Sequence, residues 1–492
     1  MKKVFNSKVA IALVALLILG ALSVSGMLHD VSATPVDRVD RVYGSNRSGT
    51  AVAISQEGWE TSDYVVLARG DEFADALAGV PLAYSLDAPI LLTHSAILTA
   101  STKQEIIELN AKNVIILGGK GAISKAVEDE LISMGLTVDR ISGANRNDTA
   151  SQIALRMKAA GTYNGKIFVA NGLDFPDALA ASAYAAKLGY PILLSLPDRI
   201  PVSTQTAIDE LSPEAAYIAG GTAVISNAVM GNLPSPKRLS GPNRYATATA
   251  LAEEFKPGNV KYYVATGFDF ADAIAGGVLA AKNDAGLLLV SRIVPAPVIE
   301  YIADYPVYYA TIFGGTGAVN TYIENELEIL LDSAALAQAI LAAQAAIDAL
   351  PGQVAASADS AEAQGYIDAA QDLVDAVLEI DPDHDTSEWD AVIAEQQAIV
   401  DDMRAAEAVI AQIAALEPVD ELTLDDKAAV EAARAAYNAL TDDQKALVTN
   451  LAVLEAAEAR IAQLEADLAA ANAVIAQIAA LEPVDELTLD DK

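Results

Sequence analysis

The stretch Arg41-Val42-Tyr43-Gly44-Ser45-Asn46-Arg47-Ser48-Gly49-Thr50-Ala51 returns twice along the chain. It reappears as Arg140-Ile141-Ser142-Gly143-Ala144-Asn145-Arg146-Asn147-Asp148-Thr149-Ala150 and as Arg238-Leu239-Ser240-Gly241-Pro242-Asn243-Arg244-Tyr245-Ala246-Thr247-Ala248. What stays constant is Arg, an aliphatic residue, any residue, then Gly-x-Asn-Arg-x-x-Thr-Ala. The leading arginines fall 99 and 98 residues apart, the spacing of small domains rather than of solenoid units. A module written three times implies a surface presented three times, which suits a binding protein better than an enzyme with one active centre.

Working outward, each copy continues in the same order. An apolar strand (Tyr64-Val65-Val66-Leu67-Ala68; Ile167-Phe168-Val169-Ala170; Tyr262-Tyr263-Val264-Ala265) runs into Gly-x-x-Phe-x-Asp-Ala. An alanine-rich helix follows, then a second apolar strand (Pro89-Ile90-Leu91-Leu92; Pro191-Ile192-Leu193-Leu194; Gly286-Leu287-Leu288-Leu289). After another helix comes a strand ending in paired glycines: Gly118-Gly119, Gly220-Gly221 and Gly314-Gly315. Short continuous apolar runs between helical patterns are the signature of a parallel sheet covered on both faces. The fold expected is α/β: three tandem Rossmann-like or Toprim-like βα modules at 36–135, 136–232 and 233–325. Right-handed crossovers bring the glycine motifs to the strand carboxyl ends.

The flanks differ from this core. Lys2, Lys3 and Lys8 precede an apolar run from Val9 to about Leu22, and small residues follow at Val24-Ser25-Gly26 and Val31-Ser32-Ala33. This reads as a secretory signal within residues 1–33, cleaved in the mature protein. The chain has no cysteine, so an exported form relies on burial rather than disulfides, and thiolate metal sites and cysteine nucleophiles are excluded. Residues 1–320 carry 25 basic and 30 acidic side chains, whereas 321–492 carry 6 and 37. Nucleic-acid binding needs a basic face and finds none here. A strongly acidic tail repels anionic polymers, which leaves the near-neutral repeats as the place for an anionic ligand.

From about residue 326 the composition shifts to Ala, Leu, Ile, Glu, Asp and Gln at helical spacing, predicting an all-α bundle or stalk over 326–492. Pro351-Gly352, Pro382 and Pro418 are expected to break it into hairpins, and Thr423-x-x-Asp426 and Thr441-x-x-Gln444 are expected capping boxes. Residues 408–427 recur identically as 473–492, a period of 65. That reads as a tandem array interrupted in its last copy.

The ordered set of motifs, Arg-[Val/Ile/Leu]-x-Gly-x-Asn-Arg-x-x-Thr-Ala, Gly-x-x-Phe-x-Asp-Ala, Pro-Ile-Leu-Leu and the glycine pair leading to Ser124, Ser226 and Asn320, resembles the cell wall binding repeat 2 family of Gram-positive surface proteins. The resemblance covers about residues 36–325. It implies modules packed around a pseudo-threefold axis and non-covalent attachment of an exported protein to an anionic secondary polymer of the cell wall. It also implies an effector region beside the anchor, and the acidic helices are similar to spacers in such surface proteins. The partners implied are that polymer and surface-layer proteins, with no membrane after signal cleavage, no cofactor and no catalytic role. The alternatives are the anchor portion of an amidase-like wall hydrolase and a surface-layer component held by protein contacts.

Candidate residues follow from the motifs. Arg47, Arg146 and Arg244, together with Arg41, Arg140 and Arg238, are candidates for polymer binding, because a guanidinium fork matches phosphate or carboxylate; the competing reading is intermodule glue. Asn46, Asn145 and Asn243 are expected to cap the helices that follow. Asp75, Asp177 and Asp272 are expected in a first helical turn, complementing the macrodipole or pairing with motif arginines of a neighbouring module. The glycine pairs fit either a positive-φ turn or a phosphate cradle. His29, His94 and His384 lie outside any metal-binding pattern, and Gly-x-Ser-x-Gly is absent, so metal-assisted and serine hydrolysis lack support.

Overall fold

The computed structural model describes residues 37–73 and 75–480; the expected signal segment and residues 481–492 lie outside them. It divides into a βα unit extending to Gln338 and a helical unit beginning at Ala339.

Each apolar run forms a strand. The first copy contributes β1 (Val39–Val42), α1 (Arg47–Gly58), β2 (Tyr64–Arg69), α2 (Gly79–Ser85), β3 (Ile90–Thr93), α3 (Ala100–Glu108), β4 (Asn113–Leu117) and α4 (Lys125–Ser133). The second contributes β5 (Thr137–Ile141), α5 (Arg146–Ala159), β6 (Lys166–Asn171), α6 (Pro176–Leu188), β7 (Ile192–Ser195), α7 (Val202–Leu211), β8 (Ala215–Ala219) and α8 (Asn227–Met230). The third contributes β9 (Pro236–Leu239), α9 (Arg244–Phe255), β10 (Lys261–Thr266), α10 (Ala271–Lys282), β11 (Leu287–Val290), α11 (Ala296–Asp304) and β12 (Tyr309–Phe313).

Three four-stranded sheets result, ordered β3-β2-β4-β5, β7-β6-β8-β9 and β11-β10-β12-β1, and every pairing is parallel. The arginine-bearing strand that opens each copy is therefore the edge strand of the preceding copy's sheet. β5 pairs with β4 with Arg140 opposite Ile116, and β9 pairs with β8 with Arg238 opposite Ile218. The first strand closes the cycle: β1 pairs with β12, Arg41 opposite Ile312. A structural module thus begins at the Asn-Arg helix and ends on the next copy's first strand.

The alanine-rich helices α2, α6 and α10 pack against one another at the centre of the trio. Small side chains permit that approach. A Cβ on Gly277 would lie 2.7 Å from Ser182 Oγ, and one on Gly276 would lie 2.1 Å from the Phe313 ring. Helix α2 starts at Gly79, later than its counterparts, because Pro81 has no N–H to bond back and is tolerated only within a first turn.

Helix α12 (Thr321–Ala356) begins in the βα unit, where Ile323, Leu327 and Leu331 are buried. It ends in the helical unit with Ile347, Leu350 and Val354 buried. Its length and composition also meet the requirement for crossing a bilayer. Contrary to the expected break, the helix runs through Pro351. The buried side chains around the proline offset the missing hydrogen bond, and the chain turns at Asp359, which caps α13 (Ser360–Ile380). Helix α14 (Ser387–Ala414) pairs with α13, and Pro382 and Pro418 both fall between helices as expected. The Thr423–Asp426 capping box heads a 3-10 turn that leads into α15 (Lys427–Ala439), and Thr441–Gln444 caps α16 (Asp442–Ala446). Helix α17 (Leu451–Ala479) packs on α14 and α15.

Candidate functional site

The triplicated motif is explained locally, residue by residue. The side chains of Asn46, Asn145 and Asn243 accept backbone N–H bonds in the first turns of α1, α5 and α9. Thr50, Thr149 and Thr247 hydroxyls accept from the N–H of Gly44, Gly143 and Gly241 at 3.1, 3.1 and 3.3 Å. Those glycines sit so close to the helix start that a Cβ would come within 2.2 to 2.4 Å of it. Ala51, Ala150 and Ala248 are buried.

The leading arginines belong to the scaffold. Arg41 donates to the Gly314 carbonyl at 2.7 Å and to both oxygens of Glu324. Arg140 donates to the Gly118 carbonyl at 2.8 Å and to Glu128. Arg238 donates to the Gly220 carbonyl at 2.7 Å, but its other edge faces Met230 Sδ; burial lowers its pKa. Each guanidinium therefore clamps the first glycine of a pair. Gly118, Gly220 and Gly314 need their positive φ of 98, 114 and 104°, which favours glycine. Space is a second reason, since a Cβ there would lie within 2.5 Å of Oδ2 of Asp75, Asp177 or Asp272. The second glycines differ: a Cβ on Gly119 or Gly221 would meet nothing within 4 Å, and one on Gly315 only the Tyr43 ring.

The aspartates lie between this turn and the trio's centre. Asp177 and Asp272 occupy the first turns of α6 and α10, as expected, whereas Asp75 precedes its late-starting helix. Burial raises the pKa of Asp177 against a hydrogen bond from Thr247. Burial, with Asp269 adding to it, pushes Asp272 up to about 6 against the pull of Arg47. The expected intermodule ion pairs exist, but they use a different carboxylate, the one immediately before the motif phenylalanine. Arg47 pairs with Asp269 at 2.6 Å and Arg244 with Asp174 at 3.7 Å. The burial that raises Asp177 and Asp272 explains why the more exposed neighbours take the cations.

The phenylalanines gather these parts. Phe73, Phe175 and Phe270, one from each copy, meet with ring centroids 5.5, 5.8 and 6.1 Å apart. Each carries an arginine from the next copy on its face: Arg146 over Phe73, Arg244 over Phe175 and Arg47 over Phe270, at 5.1, 5.7 and 5.5 Å. Each of these arginines also donates to the carbonyl of Gly70, Gly172 or Gly267 in its own copy. The result is a threefold ring of guanidinium on aromatic. The sequence motif marks all three phenylalanines, yet their meeting point depends on which copies adjoin, which no local pattern encodes.

At the strand carboxyl ends beside this ring, where ligands bind in open α/β sheets, lies an intermodule groove. The groove between the third and first copies has a volume of about 660 Å³ and is lined by Asn46, Arg47, Phe268, Asp272, Arg292 and Gly315 among others. Arg47 is 46% exposed at its side chain and Arg41 only 8%, so of these two arginines it is Arg47 that faces the groove. His94 accepts a weak bond from the Ala96 N–H at the first copy's equivalent edge. Among the described residues no group of three or more His, Asp or Glu is placed to hold a metal ion.

The cell wall binding domain 2 (CWB2) family profile matches residues 41–128, 140–230 and 238–324. Among relatives, the N-acetylmuramoyl-L-alanine amidase LytC of Bacillus subtilis (strain 168) is 39% identical over 291 residues, 59% of this chain and 58% of that protein. The amidase enhancer of the same organism is 34% identical over 311 residues, 62% of this chain and 42% of its own length. Among solved structures, Cwp6 from Clostridium difficile superposes with a TM-score of 0.56 at 30% identity, covering 60% of this chain and 48% of that one. The chain spans about half the length of the relatives it matches. With more than half its residues under the threefold profile, and with that profile realised as three closed βα modules, this chain belongs to the cell wall binding domain 2 family.

Proposed function

We propose that the βα trio holds an exported protein to the bacterial cell wall by gripping an anionic wall polymer at its three intermodule grooves, without catalysis. The observation carrying this reading is the arginine placement. Arg47, Arg146 and Arg244 stand at the strand carboxyl ends, each over one of three clustered phenylalanine rings, with Arg47 half-exposed towards a groove. Arg41, Arg140 and Arg238 are spent on turn carbonyls, so the polymer-contacting set narrows to the Asn-Arg arginines. The motif asparagines, threonines, alanines, first glycines and phenylalanines have capping, turn or packing roles, which supports binding rather than chemistry.

The energetic logic is avidity. Weak sites on one rigid body facing a repeating polymer gain about 10²- to 10⁴-fold without a strong single contact. The acidic helices, repelled by an anionic wall, serve as a spacer. Surface-layer neighbours are a further class of partner, and the location implied is the Gram-positive cell surface. A second reading, the anchor part of a wall hydrolase, is favoured by the amidase relative.

The test is a salt-dependent pull-down on purified walls, before and after removal of the secondary polymer, with Arg47, Arg146 and Arg244 each changed to Ala. Binding should weaken about tenfold per arginine, more steeply at low salt, and vanish on stripped walls. Undiminished binding by folded variants overturns the arginine assignment, retention on stripped walls replaces polymer with protein contacts, and release of muropeptides by the chain establishes the hydrolase reading.

A further inference from the structure

The three grooves share their motif residues but not their furnishings. The position following the glycine after β2, β6 and β10 is Asp71, Leu173 and Phe268. The second position after β3, β7 and β11 is Ser95, Pro197 and Arg292. The residue before the motif glycine is Tyr43, Ser142 and Ser240. Because β1 closes the third sheet, Tyr43 comes to the rim of the groove that Phe268 and Arg292 line, the one between the third and first copies. There the Tyr43 ring lies 3.6 Å from the Cβ position of Gly315, which lines the groove with Phe268 and Arg292.

These three residues have no structural employment that the motifs explain. Phe268 and Tyr43 are 60% and 59% exposed, in a unit where most other aromatic rings are buried or half-buried. Arg292 has no carboxylate partner among the described residues, whereas Arg47 across the groove is already held by Asp269. Of the two carboxylates on this wall, Asp269 is occupied by Arg47, which reduces the repulsion an incoming anion meets. Gly315 and Gly317 leave backbone exposed on the same wall, since no heavy atom approaches a Cβ position on Gly317.

Exposed aromatic faces flanking an unpaired guanidinium match a particular chemistry. A pyranose ring offers C–H groups to an aromatic face, and its acidic substituent takes the arginine fork. Resting on the wall-anchoring reading above, we propose that the groove between the third and first copies is a saccharide subsite, unique among the three, for a sugar residue bearing an anionic substituent. The sugar stacks on Phe268 and Tyr43, and the phosphate or carboxylate binds Arg292. The second copy has Leu173 and Pro197 in place of Phe268 and Arg292, and the arginine of its loop, Arg199, is taken by Asp198.

The experiment titrates the full chain with glucose 1-phosphate, glucuronate, glucose and inorganic phosphate, following binding by ligand-detected NMR. The wild type should bind the two acidic sugars more tightly than glucose or phosphate alone, and the preferred one identifies the acidic group. Arg292→Ala and Phe268→Ala should each weaken acidic-sugar binding about tenfold with the thermal midpoint unchanged, because both side chains are exposed. Leu173→Ala in the second copy should change nothing, and the pair Leu173→Phe with Pro197→Arg should add a second binding equivalent. Equal binding of all four probes, or indifference of binding to Arg292→Ala and Phe268→Ala, overturns the subsite. If those variants are neutral while walls are still retained, the subsite fails and the anchoring reading stands. If walls are not bound at all, the anchoring reading fails and the sugar titration still decides the subsite.

Discussion

Two arginines six residues apart, Arg41 and Arg47, illustrate how far a single side chain can be read. The asparagine between them announces its role because capping is local, reaching two or three residues along the chain. The arginines do not, since their partners Glu324 and Asp269 lie 283 and 222 residues away. Spacing therefore marks both as important and separates neither. The aspartates teach the same lesson: a carboxylate in a first helical turn is legible, but the choice of Asp269 over Asp272 as ion partner is set by burial.

Asp272 also carries a pH consequence. Its folded-state pKa of about 6 lies above the ordinary 3.8, so the folded chain holds this proton more tightly than the unfolded chain. Its contribution to stability is fully present below about pH 4 and is lost as pH rises through 6. Replacing the carboxyl by an uncharged isostere, Asp272→Asn, should flatten that segment of the stability profile and raise stability at pH 7 by up to about 3 kcal/mol. Urea midpoints at pH 4.5 and 7 measure this, and an unchanged slope in the variant would show that another group is responsible.

Among elements, strands and helices follow the apolar periodicity closely, and both capping boxes in the acidic region form. The failures occur where packing outweighs a local rule. Pro351 sits inside α12 because the apolar residues on either side of it are buried, and a sequence window sees the proline but not the neighbours. The identical segments 408–427 and 473–492 make the point with composition held fixed. Val409 and Ile413 are 4% and 0% exposed, while their counterparts Val474 and Ile478 are 53% and 61% exposed, since α15 covers the first pair. Val409→Asp should therefore lower the stability of the helical unit by about 3 kcal/mol, and Val474→Asp by no more than about 0.5 kcal/mol. Melting followed by circular dichroism distinguishes them, and equal losses would mean that the second face is covered as well.

For the molecule as a whole, the number and class of modules are legible from the motifs, but their phase is not. A periodic sequence can be cut anywhere with equal consistency, and only the closing pair reveals that each sheet borrows its edge strand from the following copy. The borrowing makes the trio interdependent. Deleting Val39–Val42 removes the last strand of the third sheet and leaves Glu324 and the Gly314 carbonyl without Arg41. The expected loss is on the order of 3 kcal/mol or more, shared across one cooperative unfolding transition of all three modules. Hydrogen exchange confined to the third module alone would contradict that interdependence.

The position of β12 bears on how such an attachment carries tension. Helix α12 leaves the βα unit directly after β12, and β12 runs between β1 and β10, parallel to both. β12 is therefore held by ladders on both flanks, so tension reaching it has to break two sets of hydrogen bonds where an edge strand would yield after one. The strand next to the outgoing helix is thus doubly fastened.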